Sequence, residues 1–477
     1  MLPFGFFVWS PVNGYALTRN RRKGQEKSVK AGYFQQSGIS VSGLVSAVLL
    51  TGLMSAGALL VAPSIGHAQD AEEESAANQP TRRTPAMRER VYQRLAEAQA
   101  CAEMDDNVCA EEKLTEVRSM DDLNSYELAQ MWNFYAFIAF EQDDYGAAIT
   151  AYENVLMQAE LPIALEQTTQ YSLATLYVQE ERYQEGLDML DQWFATQASP
   201  SPDAYVLKAQ IHYQQEQFAE GIEPVLTALQ IAEEQGRDPQ EGWFQLLNVF
   251  YFELENYPKV IETLTTLLQN WTKRDYLMQL AGVYGQEGQD QNTLALYEAA
   301  YEAGWLDSSG DFTNLAQMLL SHDIPYKAAV LLEEKLDDGS VESTEANWRL
   351  LAQAWQLAQD DVKAIPALSR ASSLASDGNL DMLLAQSHAN LAQHDECIEA
   401  ARNALRRGGL NREDQTNIIL GSCLAESGEY QEARTAFQSA ARDERSRRAA
   451  NQWIDYVTSE QAREQANREA LAALQRN

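Results

Sequence analysis

The chain is 477 residues long, 45% hydrophobic, and carries a formal net charge of −34. That apolar share suffices for a large buried core, while so acidic a surface argues against a nucleic-acid partner, whose phosphates it would repel. The acidity is uneven: residues 69–399 hold 18 basic and 58 acidic groups, residues 400–477 hold 12 and 11, so the two ends are expected to meet different surroundings.

Met1–Lys30 carries Arg19, Arg21, Arg22, Lys23, Lys27 and Lys30, and Ile39–Ala62 is an apolar run interrupted by Gly43, Gly52 and Gly57. With Gly66-His67-Ala68 behind it, the segment predicts a secretory signal peptide over residues 1–68, cut after Ala68. The stretch ahead of the apolar run is long for a leader, which points to a true start downstream of Met1. An uncleaved inner-membrane anchor is the alternative, because the run is long enough to span a bilayer. In either case the basic flank stays in the cytoplasm and the rest is exported to the periplasm.

Residues 69–85 (QDAEEESAANQPTRRTP) are polar and aperiodic and predict a disordered acidic tether. From residue 86 the pattern turns helical. Met87–Val117 predicts an irregular first helix pair with Tyr92 and Leu95 in its core and a turn at Met104–Asn107. Leu128–Pro162, with Trp132, Tyr135 and Ala136, predicts a fuller unit. Five more are expected to run to about Asp307, with Pro200, Pro202 and Pro239 marking breaks between helices. Units at Phe312–Gly339, Trp348–Ser373, Leu380–Leu405 and Asn417–Ala441 complete an array over residues 86–447. Pro224 and Pro366 are expected near the start of second helices, where a missing N–H costs little. Residues 448–477 predict a capping helix, with Trp453, Ile454 and Val457 on one face, and a polar tail beyond Ser459.

Within the array one unit shows the logic plainly. In Thr344–Ser373, Trp348, Leu351 and Trp355 share a helical face, Ala352 leaves room for close approach, and Ala364, Ala367, Leu368 and Ala371 line a second helix after a polar turn at Gln359–Asp361. The first-helix small position recurs as Ala136, Ala174, Ala209, Asn248, Ala281, Ala316, Ala352, Ala385 and Gly421, at steps of 33 to 39 residues. Twelve residues later come Ala148, Gly186, Gly221, Val260, Thr293, Ala328, Ala364, Cys397 and Ala433. Turn aromatics recur at Tyr145, Tyr183, Phe218, Tyr257 and Tyr430. A hairpin this short cannot bury its apolar face alone, so it needs stacked neighbours of its own kind. The spacing resembles the tetratricopeptide repeat. It implies an all-α fold: a right-handed superhelical solenoid of about ten helix-turn-helix repeats closed by a C-terminal capping helix.

Four cysteines lie in what is predicted to be an oxidising compartment. Cys101 and Cys109 flank the turn of the first pair, and Cys397 and Cys423 fall on successive helices expected to touch. Each pair is a candidate disulfide, with buried free thiols as the alternative. His212 occupies a core position of a first helix. His388, His394 and Cys397 match no compact metal-ligand spacing, so neither metal nor cofactor is expected. There is no Walker A sequence, HExxH, GxSxG elbow or dinucleotide-binding glycine fingerprint. Carboxylates are plentiful but scattered, so an enzyme is not expected.

What remains is surface. In the repeat family that this chain resembles, first helices line a groove that holds a partner's peptide or helix. Carried over position by position, that face would show Asn133, Phe137, Phe140, Tyr171, Val178, Tyr213, Gln245, Val249 and Phe252 in early units. Later units would show Arg349, Gln353, Gln356 and Gln386. The alternative is that some of these aromatics pack against adjacent helices.

The start TRRTPAMRERVYQRLAEAQ, behind a leader and an acidic tether and followed by Cys101 and Cys109, is similar to periplasmic tetratricopeptide proteins that accompany TonB–ExbB–ExbD systems. That resemblance implies a non-enzymatic scaffold peripheral to the inner membrane, accessory to TonB-dependent outer-membrane uptake of iron–siderophore complexes. A scaffold for envelope biogenesis or secretion machinery is the rival reading. An enzyme accessory that grips a client chain is a third.

Overall fold

A computed structural model describes residues 86–475 apart from Asp105; the expected leader and tether lie outside the described residues. All regular structure among them is helical. The chain divides into two compact units at Val283/Tyr284. The first unit holds α1 (Glu89–Ala102), α2 (Asn107–Arg118), α3 (Ser125–Glu141), α4 (Tyr145–Leu156), α5 (Ile163–Gln179), α6 (Tyr183–Thr196), α7 (Pro202–Gln214), α8 (Phe218–Glu234), α9 (Glu241–Glu253) and α10 (Tyr257–Asn270). The next helix, α11 (Arg274–Gln286), contains the division. The second unit continues with α12 (Asp290–Glu302), α13 (Ser309–Ser321), α14 (Pro325–Asp337), α15 (Glu345–Leu357), α16 (Asp361–Leu374), α17 (Asn379–Asn390), α18 (His394–Arg407), α19 (Glu413–Glu426), α20 (Tyr430–Ala440) and α21 (Arg447–Gln475). Odd-numbered helices up to α19 are the first (A) helices of pairs and even-numbered ones the second (B).

The pairs are made by one repeated turn. Asp143, Glu181, Glu216, Glu255, Gly288, Asp323, Gln359, Ala392 and Gly428 all sit two residues before a B helix, and all have positive φ, from 53° to 81°. The next N–H then reaches five residues back: Asp144 to the Ala139 carbonyl (2.9 Å), Arg182 to Tyr177 (2.7 Å), Asp360 to Trp355 (2.9 Å), Glu429 to Leu424 (2.8 Å). This closure satisfies carbonyls that a helix end leaves open and reverses the chain in three residues. Asp106, Asp144, Asn256 and Asp360 then cap the following helix through their side chains. The turn aromatics Tyr145, Tyr183, Phe218, Tyr257 and Tyr430 are each the first residue of a B helix.

The aligned small residues are where helices meet. Ala136, Ala174, Ala209, Ala281, Ala316 and Ala385 have no exposed surface, nor do Ala148, Val260, Ala328, Ala364, Cys397 and Ala433 on the B helices. At Gly221 a Cβ would stand 2.7 Å from Cε2 of the buried Phe250 ring, and at Gly421 2.8 Å from Cδ1 of Phe437. These two glycines are needed for close approach, not for turning. The terminal helix α21 covers the last pair: Trp453 stacks on Phe437, centroids 5.4 Å apart and planes within 9°, and Ala450 and Val457 are fully buried.

Two expectations are corrected. Four pairs, not five, occupy Ile163–Glu302, because α5 and α8 run to 17 residues each. Pro224 and Pro366 lie inside α8 and α16, beyond the first turn. The carbonyls they leave without an N–H belong to Glu220 and Val362, which are exposed residues, so water can replace the lost bond.

Candidate protein-binding faces

In the first unit most of the expected face is already occupied by the chain's own packing. Phe137 packs against the Val91, Leu95 and Met131 cluster. Phe140 meets Tyr145 with ring centroids 5.8 Å apart, Tyr171 meets Trp193 at 5.2 Å, and Tyr213 meets Phe218 at 6.1 Å and Phe250 at 6.3 Å. Burial, helped by the charge of Asp203, pushes the Tyr171 hydroxyl up to about 12. Burial likewise raises Tyr213, with Glu253 adding to it. Asn133 is half-buried. Gln245 donates from Nε2 to Tyr276 Oη at 2.6 Å, and the Tyr276 hydroxyl in turn donates to Glu241, which also takes a bond from Lys273 Nζ at 2.6 Å.

Val178, Val249 and Phe252 do not form an open face, which corrects the sequence expectation. They are 5%, 4% and 3% exposed. Val178 belongs to the core formed with Ala174, Leu190, Trp193 and Ile211. Phe252 sits edge-on to Tyr257 at 6.4 Å. Val249 lies in Leu246–Phe252, a stretch buried on every side of α9. Apolar residues at helical spacing fill the space between neighbouring helices when that space is available, because burial is worth about 25 cal/mol per Å².

The second unit keeps the expected face polar and partly open. Arg349 is more than half exposed and pairs with Glu345 one turn earlier at 3.4 Å. Gln353 is exposed, Gln356 donates to Ser387 Oγ on α17 at 3.1 Å, and Gln386 donates to Asn390 at 2.9 Å. Gln317, Gln353 and Gln386 each follow the small residue of their A helix directly (Ala316, Ala352, Ala385), so one carboxamide recurs at the same register on α13, α15 and α17. A carboxamide both donates and accepts, which suits it to a peptide backbone.

Three buried carboxylates, Glu127, Asp381 and Asp414, and the part-buried Glu241 had no signal in the sequence. Glu127 is fully buried and accepts from Arg88 Nε and NH2 (2.9 and 2.6 Å), from the Arg88 N–H (2.9 Å) and from the Asn124 N–H (3.0 Å). Burial opposes its charge, but those donors outweigh it and hold the carboxyl down, at about 2. Glu241 is held below the usual carboxylate range by Lys273 and Tyr276 against its own desolvation. Asp381 accepts from Ser372 Oγ (2.7 Å) and Arg407 (2.8 Å). Asp414 accepts from Arg412 (2.8 Å) and Ser446 Oγ (2.6 Å); its hydrogen bonds from Arg412, ahead of desolvation, hold it far below the usual range. All four lie within the first turn of an A helix. They bond groups on other segments or in the preceding loop, and so tie neighbouring pairs together.

Cys101 is bonded to Cys109 across the α1–α2 turn, with Cα atoms 5.7 Å apart, and Cys397 on α18 to Cys423 on α19, with Cα atoms 6.3 Å apart. His212 and His388 each place Nδ1 within 2.8 Å of a turn glutamine, Gln217 and Gln393. No group of three or more His, Cys, Asp or Glu able to hold a metal ion occurs among the described residues.

No family model matches this chain, and no curated protein does. Among solved structures it is similar to a tetratricopeptide repeat protein from Parabacteroides merdae (12% identity, 55% of this chain, 99% of that one, TM-score 0.31). It is similar to YrrB, described as a tetratricopeptide protein with an unusual peptide-binding site (15%, 40% and 97%, 0.33). It is also similar to the TPR2AB domain of yeast Sti1 in a pHSP90 complex (14%, 61% and 98%, 0.27). Overlaps this low leave the class to be read from the chain's own hairpins. The nine identical turns, the aligned small residues and the terminal cap define an all-α, tetratricopeptide-type repeat protein.

Proposed function

We propose that this protein is a non-catalytic scaffold that holds protein partners on its A helices, and that the face on α13, α15 and α17 is the one that grips. The recurring carboxamides Gln317, Gln353 and Gln386, with Arg349 beside them, carry the reading: they lie at one register and remain at least partly accessible, whereas Thr175, Gln210 and Val249 at that register in the first unit are buried. The place of action proposed is the periplasm. The leader-like sequence supports this, as does the pairing of all four cysteines, which the cytosol disfavours. The partner proposed is a TonB–ExbB–ExbD complex serving siderophore uptake, on the strength of the residue 81–99 resemblance, whose second half begins α1.

Crosslinked pull-down from membranes with wild type and with Arg349→Ala plus Gln353→Ala tests both levels. The proposal expects TonB-complex components with the wild type, at least a several-fold loss with the variant, and poor growth of a deletion strain on a siderophore as sole iron source. Recovery of the same partners by a folded variant would remove the gripping face. Normal growth with no TonB component recovered would remove the transport role and leave the scaffold. Phe137 and Phe140 are unsuitable probes, because each is engaged in the chain's own packing.

A further inference from the structure

The second unit has two long edges, and they differ in kind. Along one lie the turns that lead from A to B helices. Their neighbourhood is shown by Tyr326 at the start of α14, edge-on to Trp355 at 5.6 Å, by Lys363 of α16 reaching Glu333 of α14 at 3.0 Å, and by Asn390 donating to Asp361 at 2.8 Å. Four large apolar residues stand out on this edge: Val362 is 67% exposed, Tyr326 63%, Leu357 51% and Ile324 39%. Around and beyond them are Asp323, Asp360, Asp395, Glu396, Glu426 and Glu429, none of which forms an ion pair among the described residues. Of the cations nearby, Lys327 pairs with Glu298, Lys363 with Glu333 and Arg402 with Glu432, while the half-buried Arg434 bonds Gln431.

Along the opposite edge run the loops that lead from B helices to the next A helix. Successive loops touch there: Gly378 N–H donates to the Gly408 carbonyl at 2.9 Å, and Ser446 Oγ to Asp414 at 2.6 Å. On this edge Arg370, Arg406, Arg442, Arg447 and Arg448 are all exposed and form no ion pair among the described residues, while Arg407, Arg412 and Arg445 are matched by Asp381, Asp414 and Asp443. Leu374, 47% exposed, lies among them. Five unmatched arginines on the loops of one edge are notable in a chain of net charge −34, although Glu413 and Glu444 on the same loops are exposed and form no ion pair among the described residues.

We propose that the second unit docks edge to edge with a second copy of this chain, the arginine edge of one copy covering the apolar, acidic edge of the other. Each edge supplies what the other lacks. Guanidinium groups meet unmatched carboxylates, and the arginine stems, together with Leu374, cover Tyr326, Leu357 and Val362, with an arginine able to lie on the Tyr326 ring. Because the two edges are different surfaces, the contact is heterologous and leaves one free edge of each kind at the ends, so it propagates. The rest of the chain is acidic and repels its copy. The Debye length of about 8 Å at 0.15 M salt screens that repulsion while leaving contact pairs intact, whereas about 3 Å at 1 M weakens exposed pairs as well.

Sedimentation velocity of the full chain tests this. The expected result is concentration-dependent association at 0.15 M salt, weakened about tenfold at 1 M. A basic-edge variant (Arg442→Gln, Arg447→Gln, Arg448→Gln) and an acidic-edge variant (Tyr326→Ser, Val362→Ser) are each expected to be monomeric. Arg370→Gln with Arg406→Gln serves as a second basic-edge variant away from the α21 cap. Mixing the basic-edge and acidic-edge variants restores one intact pair of edges and should give dimers and nothing larger. A wild type that stays monomeric at about 0.1 mM, where even micromolar association registers, overturns the proposal. So does association that persists unchanged in either variant. Wild-type binding to phosphatidylethanolamine–phosphatidylglycerol vesicles that is lost in the basic-edge variants, without self-association, overturns it in favour of a lipid surface.

Discussion

Gly221→Ala should destabilise α8 and α9, although in a helix the same change ordinarily stabilises. Gly221 is the fourth residue of α8, in ordinary helical conformation, so alanine there gains about 0.8–1 kcal/mol in helix propensity. Against this, the new Cβ would stand 2.7 and 2.8 Å from Cε2 and Cε1 of Phe250. That ring is fully buried and also meets Tyr213 and Phe218 at 6.3 and 6.5 Å, so it has nowhere to turn. Overpacking a close-packed site costs about 1–3 kcal/mol, occasionally more. The net expectation is a loss of about 1–2 kcal/mol, being the upper part of that range less the propensity gain. Gly282→Ala is the internal control: nothing lies within 4 Å of its Cβ site in α11, so it should stabilise by the propensity gain alone, about 0.8–1 kcal/mol. Because repeat arrays need not unfold in one step, urea titration should be read together with hydrogen exchange of α8 and α9 amides. Shrinking the ring relieves the clash, so the Gly221→Ala, Phe250→Leu double variant should lose less than the sum of the singles by more than about 0.5 kcal/mol. A neutral or stabilising Gly221→Ala would refute the reasoning, since it would mean that the two helices can move apart without cost.

Glu127 makes stability depend on acid. Its folded-state pKa lies below the unfolded value, so its contribution is complete above about pH 4.5 and is lost as pH falls through about 2. With Arg88 one-third exposed the contribution is discounted to about 1–2 kcal/mol. Glu127→Gln should remove that amount at neutral pH and flatten acid unfolding between those limits, by circular dichroism. Ala392 holds φ at +53°, where an alanine is strained by about 1–2 kcal/mol, so Ala392→Gly should gain about 0.5 kcal/mol after the glycine's larger unfolded-state entropy is subtracted; a lower melting temperature would contradict it. Replacing Cys397 and Cys423 together by alanine opens a link across 26 residues of chain, which the loop-entropy model values at about 3.5 kcal/mol. Exchange in α18 and α19 should rise accordingly, and wild type under reductant should match the variant in those two helices.

The class of fold was legible because its signals are local. A small residue and its partner twelve positions on, with a turn aromatic between them in five of the nine units, all act within one hairpin, and nine such pairs in register specify stacking without any knowledge of what stacks on what. The site was legible only in part. The positions Phe140, Val178 and Phe252 are equivalent in register to Gln356, and side-chain period alone assigns them one face. It does not say whether a neighbouring helix already fills the space beside them, as at Val178, where Leu190 and Ile211 join it in one core. The tolerance of Pro224 inside α8 was hidden for a related reason: its cost depends on whether Glu220 faces water, which its sequence neighbours do not reveal.

Ala352, Ala364 and their counterparts fixed the hairpins, the turns and the order of the helices, because helical period and turn chemistry act between residues close in the chain. The Arg88–Glu127 pair, 39 residues apart, the packing of the first unit's aromatics and the gathering of five unmatched arginines on one edge of the second unit depended on tertiary structure alone. Burial and charge matching are properties of neighbours in space, and in a stack of hairpins those neighbours come from the next repeat.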